Sequence, residues 1–324
     1  MKLPVTTQCP TLEAMDKAQE AAQTEEKRRP YLGMSSLGKE CSRELWYGFR
    51  WVKTIKFKAQ TLRYFEDGHR TEDLVAERIK AVPQLELQTT ASGDSTRQIG
   101  WKDFGGHLRG HADGILLGLL QAPATLHLWE NKAVNDKKFA KLEKLKAINE
   151  KSALSIWDIV YYAQQVLYMD YEGLTRSWMT VTTPGGRKQI GVRTEADPAE
   201  AIKLKAKAER IIFSDEAPEK FSDSDKMPPC LFCDFKELCR GREAADRNCR
   251  TCAHVTAERD GTWSCGILRD INNDTTLDYA HQERGCKSHR YNPTLVPGEP
   301  IDSSPEENWI EYTMEDGSVW RDEG

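Results

Sequence analysis

No apolar run in these 324 residues comes near the ~20 needed to cross a bilayer; Ile115 to Leu120 is among the longest. The N-terminus carries charge but no apolar segment of the kind an export signal requires. The expectation is a soluble, non-secreted, cytoplasmic protein with no membrane partner. An excess of positive charge is missing too: 46 Lys and Arg against 51 Asp and Glu give −5. Taken alone, this argues against a nucleic-acid partner, because phosphates prefer a basic surface. No internal repeat is visible, which sets solenoids aside.

The distribution of charge points the other way. Residues 298 to 324 hold nine acids and one base, so everything before them sums to +3. Lys39 to Arg63 carries seven Lys or Arg against two Glu, and Lys132 to Lys151 seven Lys against three acids. Each run is either a solvated helix face or a surface for DNA. Of nine cysteines, seven lie between Cys230 and Cys286. In a reducing compartment, Cys-x2-Cys pairs hold metal or perform redox chemistry more often than they form disulfides.

Residues 11 to 28 are rich in helix formers with few apolar positions and predict an exposed helix leading into Pro30. Three- and four-residue apolar spacing from Leu37 to Lys80 predicts two or three packed helices, with Gly68 as the main interruption. Residues 84 to 120 and the run TLHLWENKAV alternate and break at glycine, as sheet strands do. Helical spacing returns from Lys137 to Met169. A hairpin follows over Trp178–Thr182 and Gln189–Val192, turning at Pro184-Gly185-Gly186, and another helix spans about Pro198 to Phe213. The chain then becomes Cys- and turn-rich and ends in an acidic tail with a hairpin signal, WIEYTM-EDGS-VW.

Phosphodiester hydrolysis needs a cation that activates water and neutralises phosphate charge, and hard cations are held by carboxylates and carbonyls. Asp113 follows Gly110-His111-Ala112, and Glu130 ends LHLW, with sixteen residues between the two acids. On paired strands both carboxylates reach one ion. Lys132 shares the face of Glu130 because strand side chains alternate. Asn131 points the other way, leaving its backbone carbonyl as a ligand. His69, after Gly68 in a helical stretch, can complete the set. Gln164 and Tyr168, four apart, share a helix face. Surface charge is the plain alternative for any one of these.

Taken in order, GH, GHADG, ENKA and QxxxY resemble the RecB-type branch of the PD-(D/E)XK nuclease superfamily from about Ser35 to Cys239. The resemblance implies an α/β fold, a mixed sheet flanked by helices. It implies magnesium or manganese at His69, Asp113 and Glu130, catalysis by Lys132, and help in DNA binding from Gln164 and Tyr168. The strict Pro-Asp is absent, since Ala112 precedes Asp113, but no ligand is lost.

Cys230, Cys233 and Cys239 offer three thiolates, and zinc and iron–sulfur clusters both want four. Cys41 is the candidate fourth. One Cys before the core and three after it resembles the iron–sulfur staple of the RecB-type nucleases that include the CRISPR-adaptation exonuclease and the AddB nuclease domain. That implies a 4Fe-4S cluster, with zinc as the alternative. Cys249, Cys252, Cys265 and Cys286 form a second set, read as a small zinc module in which His254 or His289 can replace a thiolate. Its words CRTCAH, DGTWSC and GCKSH resemble the C-terminal extension of phage-encoded RecB-type nucleases. Cys9 is left unpaired. The module grips DNA, docks a replication or recombination partner, or stabilises the fold; the tail serves solubility.

The expected organisation is a helical segment over 1–30, a nuclease domain over 31–245, the Cys-rich zinc module over 246–297 and the acidic tail over 298–324. The expected function is a metal-dependent exonuclease acting on single-stranded DNA ends in phage replication or recombination, in the host cytoplasm. Basic segments interleaved with Tyr31, Trp46, Tyr47, Phe49, Trp51 and Phe57 suit stacked bases. The rivals are a catalytically silent DNA-binding or docking module and a redox protein.

Overall fold

The computed structural model describes residues 9–23, 27–268 and 275–323. Helix α1 (Pro10–Ala22) starts on a proline, whose missing N–H costs nothing there, and buries none of its side chains. After it come the short strand β1 (Leu32–Gly33), helix α2 (Ser42–Phe49) and helix α3 (Ala59–Lys80). Gly68 does not interrupt α3, which runs for 22 residues. One glycine costs a helix about 1 kcal/mol, and burial of Val75 and Ile79 outweighs that.

Strands β2 (Glu86–Gln88), β3 (Thr90–Ala91), β4 (Asp94–Gln98), β5 (Gly100–Asp103), β6 (Leu108–His111), β7 (Gly114–Leu117) and β8 (His127–Ala133) follow. Helical spacing from 136 to 172 resolves into α4 (Asp136–Ile148), α5 (Glu150–Trp157) and α6 (Ile159–Glu172). The breaks fall at Asn149 and Asp158. Both are extended (φ −158° and −156°), and each side chain caps the helix that follows it. Then come β9 (Arg176–Thr182), β10 (Gln189–Glu195) and α7 (Pro198–Phe213).

The main sheet has the order β10-β9-β8-β7-β2. It is mixed: β8 and β9 run parallel, joined through α4 to α6, and the other neighbours are antiparallel. Helix α3 covers one face, with Val75 and Ile79 against Leu116 and Trp129. Helices α4 and α5 cover the other, where Phe139, Leu142 and Leu154 meet Met179, Val181 and Val192. No described helix is long and apolar enough to cross a membrane.

A smaller sheet, β1-β6-β5, leaves the main one at Ala112-Asp113, where β6 ends and β7 begins. Asp113 therefore sits at a split between two sheets. Beyond α7, β11 (Val255–Ala257) and β12 (Trp263–Cys265) form a hairpin. Val255, Ala257, Trp263, Leu277 and Leu295 join the same apolar core as Leu45, Phe49 and Leu108. The tail is more than a hairpin: β13 (Gly298–Ser304), β14 (Trp309–Met314) and β15 (Val319–Asp322) make a three-stranded antiparallel sheet. It is anchored where Asp322 accepts from the Tyr291 amide at 2.6 Å.

Candidate active site

The β7–β8 register pairs Gly114 with Trp129, so Asp113 and Glu130 face each other one step along. Their bonds are reciprocal. The Asp113 amide donates to Glu130 Oε1 (3.3 Å), and the Asn131 amide donates to Asp113 Oδ2 (2.7 Å). Alternation along β8 puts Lys132 beside Glu130, and Nζ lies 2.8 Å from Glu130 Oε2 and 4.0 Å from Asp113 Oδ2. Asn131 points the other way, where its Oδ1 accepts from Thr180 on β9 at 3.0 Å.

Glu130 is fully buried. Burial, then the neighbouring Asp113 charge, push its carboxyl up to about 8 against the pull of Lys132. For Lys132, the two carboxylates outweigh burial and hold the ammonium above its ordinary range. Two carboxylates forced together in a low-dielectric strand pair are what a divalent cation relieves, so the donor set fits one. Among the described residues, no three His, Cys, Asp or Glu groups already stand as a metal cage. The carboxylate oxygens of Glu130 are occupied by protein donors instead.

One of those donors is Gln164 on α6, whose Nε2 lies 3.0 Å from Glu130 Oε2. Gln164 is buried and tied to the carboxylate. Tyr168, one turn on, is buried against Trp101, with ring centroids 5.0 Å apart. Gly110 makes room for it, since a Cβ there would stand 2.5 Å from Tyr168 Cε1.

A cleft opens above this floor, and Asp113, Lys132, Gln164, Tyr168 and His69 all line it. His69 reaches it from α3. So does Glu72, a residue that no motif in the sequence singles out. Burial and the Asp113 charge push the Glu72 carboxyl up to about 7. The available signal was helical spacing, because position 72 lies three beyond His69 on the same face.

The other end of the cleft is cationic. Arg29, Tyr31 and Arg109 line it, with the two guanidinium carbons 5.5 and 5.1 Å from the Tyr31 ring centre. Gly33 is extended (φ −80°), so its backbone does not demand glycine. A Cβ there would lie 2.8 Å from Arg29 Nη1; the absent side chain makes room for the guanidinium.

The cysteines other than Cys9 fall in two regions of the fold. Cys41, Cys230, Cys233 and Cys239 line one apolar cavity with Tyr47 and Phe235. Cys41 is also the N-cap of α2, its Sγ accepting from the Glu44 amide at 3.4 Å. Burial raises the Cys41 thiol and lifts Cys233 to about 11, with Cys239 nearby adding to both. In the second group, burial and then Cys252, Cys286 and Cys265 push Cys249 up to about 12. Of these eight thiols only Cys249 and Cys252 are buried; Cys286 is exposed and the other five are half-buried. Four thiols in each place match the donor number of a soft metal centre. His254 bonds Asn308 Oδ1 at 2.7 Å and His289 lies 3.2 Å from Thr251 Oγ1. Cys9 is free and exposed.

No family model matches the chain, and no curated protein matches it. Among solved structures it is similar to SSO0001, at 13% identity and a TM-score of 0.38, over 72% of this chain and 97% of that one. It is also similar to an alkaline exonuclease, LHK-Exo, from Laribacter hongkongensis, at 15% identity and a TM-score of 0.37, over 60% and 90% of the two chains. The same exonuclease in complex with dAMP gives 13% and 0.36, over the same shares. Likenesses at this level assign no role to any residue, and the functional reading stands on the geometry of the cleft.

Proposed function

We propose that this chain is a metal-dependent DNA nuclease of the iron–sulfur RecB type in the PD-(D/E)XK superfamily. Its substrate is a single-stranded DNA end, and its setting is phage replication or recombination in a host cytoplasm. The observation that carries the reading is the convergence of Asp113, Glu130 and Lys132 at the floor of a cleft, with His69 and Glu72 on its wall. Asp113, Glu130, His69 and the Asn131 carbonyl are the proposed ligands. Magnesium or manganese held there would polarise the phosphodiester and supply an activated water.

The chain's own residues do the rest. Lys132, kept protonated by its carboxylate neighbours, orients the nucleophile and offsets charge on the phosphate. Gln164 holds Glu130 in place. The cationic end with Tyr31 draws in the strand by charge and stacking. Cys41, Cys230, Cys233 and Cys239 hold a 4Fe-4S cluster that ties the chain before the core to the chain after it; Cys249, Cys252, Cys265 and Cys286 hold zinc.

One observation favours a silent binding module instead: Glu130 is already satisfied by protein donors. Cleavage of labelled single-stranded DNA with manganese, compared with Glu130→Gln, separates the two. Wild-type cutting that the substitution abolishes supports the nuclease; equal rates in both sink it.

A further inference from the structure

Three successive backbone carbonyls at the cationic end of the cleft are each held by a buried or half-buried side chain. Tyr279 Oη donates to Arg28 O (3.0 Å), Trp51 Nε1 to Arg29 O (2.8 Å) and Arg250 Nη2 to Pro30 O (3.0 Å). Tyr31 and Gly33, which line the cleft, follow directly. Two of the three donors belong to the second cysteine group: Arg250 stands between Cys249 and Cys252, and Tyr279 opens the short helix Tyr279–Arg284, just before Cys286.

Arg250 is 1% exposed and has no carboxylate partner among the described residues. Its Nη1 donates to Phe49 O (2.9 Å), its Nε to Gln282 Oε1 (2.9 Å), and its guanidinium carbon lies 3.7 Å from the Trp51 ring centre. Burying an arginine against carbonyls and rings is costly unless every donor has a specific partner. Trp51 itself sits at φ 54°, a conformation that persists in a bulky residue only when its surroundings over-determine it. Cys249 Sγ contacts His281 O at 3.2 Å, joining the thiol group to the helix that carries Tyr279 and Gln282.

We infer that the second cysteine group is a positioning device for the strand-binding wall: Arg250 and Tyr279 fix the segment 28–30 and so set where Arg29 and Tyr31 stand in the cleft. A module that only stabilised the fold would not need to hold two carbonyls, Arg28 O and Pro30 O, of a surface segment that leads into the cleft. The inference rests on the nucleic-acid reading solely for what the wall binds.

The test uses the full-length chain carrying Glu130→Gln, so that bound DNA stays intact, with Arg250→Lys or Tyr279→Phe added. Arg250→Lys keeps the charge but loses the fork; Tyr279→Phe removes one hydroxyl and keeps the ring. Hydrogen–deuterium exchange at residues 28–33 should rise, roughly tenfold for Arg250→Lys and less for Tyr279→Phe. Exchange across β8 should hold steady, and the Kd for a fluorescein-labelled oligothymidylate should rise in the same order. A uniform rise that includes β8 overturns the inference, as does unchanged exchange at 28–33 or unchanged affinity with a loosened wall. If the parent protein binds no oligonucleotide, the nucleic-acid reading fails and exchange alone decides the positioning role.

Discussion

Replacing Gln164 with leucine discriminates between two roles for this side chain. Its place in QxxxY suggests a contact with DNA, whereas its amide lies 3.0 Å from Glu130 Oε2 in a buried setting. Leucine keeps the volume and removes the donor. A hydrogen bond to a charged group is worth about 1.5–3 kcal/mol, which converts to roughly 10- to 100-fold in an equilibrium constant. Groups that orient a metal ligand typically show a loss of about that size when removed. The expectation is that Gln164→Leu weakens manganese affinity by about that factor, measured by titration followed through the EPR signal of free manganese. Affinity for an oligothymidylate should stay within about twofold. Manganese affinity unchanged with oligonucleotide binding weakened would refute the positioning role and restore a strand contact.

Metal content separates the two cysteine groups. Anaerobically purified Cys41→Ser should lose visible absorption and iron while keeping zinc; Cys265→Ser should lose zinc and keep iron. A colourless wild-type protein containing two zinc ions retires the cluster without touching the nuclease reading. The pH dependence has a defined sign. The Glu130 and Glu72 carboxyls are raised to about 8 and about 7, so below those values the folded protein carries protons that a cation must displace. Manganese affinity should therefore climb by up to about tenfold per pH unit per displaced proton and level off above about pH 8, with proton release visible by calorimetry in buffers of different ionisation heat. A flat profile between pH 6 and 8 refutes this. The same raised carboxyls give the metal-free fold a contribution to stability that is present below about pH 4.5 and lost as pH rises toward 8.

The strands bearing Asp113 and Glu130 were legible because β8 is buried on both faces and bounded by turns, and because period-two alternation fixes which side chains share a face. Helix α7 was legible from its N-terminal proline and apolar spacing. Glu72 was not, since a glutamate on an exposed helix reads as solvated until the fold brings Asp113 opposite it. The breaks at Asn149 and Asp158 were hidden inside continuous helical spacing; their cap chemistry, a side chain accepting from amides ahead of it, shows only once the φ values are known. The third tail strand, Gly298–Ser304, contains Pro300 and several polar residues. It carries little strand propensity of its own and forms by pairing with Trp309–Met314. Arg250 looked like a spacer between two cysteines, and no local pattern marks an arginine that is buried by contacts 200 residues away.

Both cysteine groups act on one short element. Helix α2 has Cys41 of the first group as its N-cap and, at its far end, the Phe49 carbonyl held by Arg250 of the second. An eight-residue helix is too short to persist alone in water, so its order depends on these ends and on packing of Trp46 and Phe49. Releasing one end frays the helix, and the contact at the other end is then worth less. The two groups should therefore be coupled. Cys41→Ala, which removes the cap, and Cys252→Ala together should cost less in unfolding free energy than the sum of the single losses, by about 0.5–3 kcal/mol, read from urea midpoints of the wild type, both singles and the double. Additivity within about 0.5 kcal/mol would mean that the two ends of α2 are held independently, and that each cysteine group supports its own part of the chain rather than a shared helix.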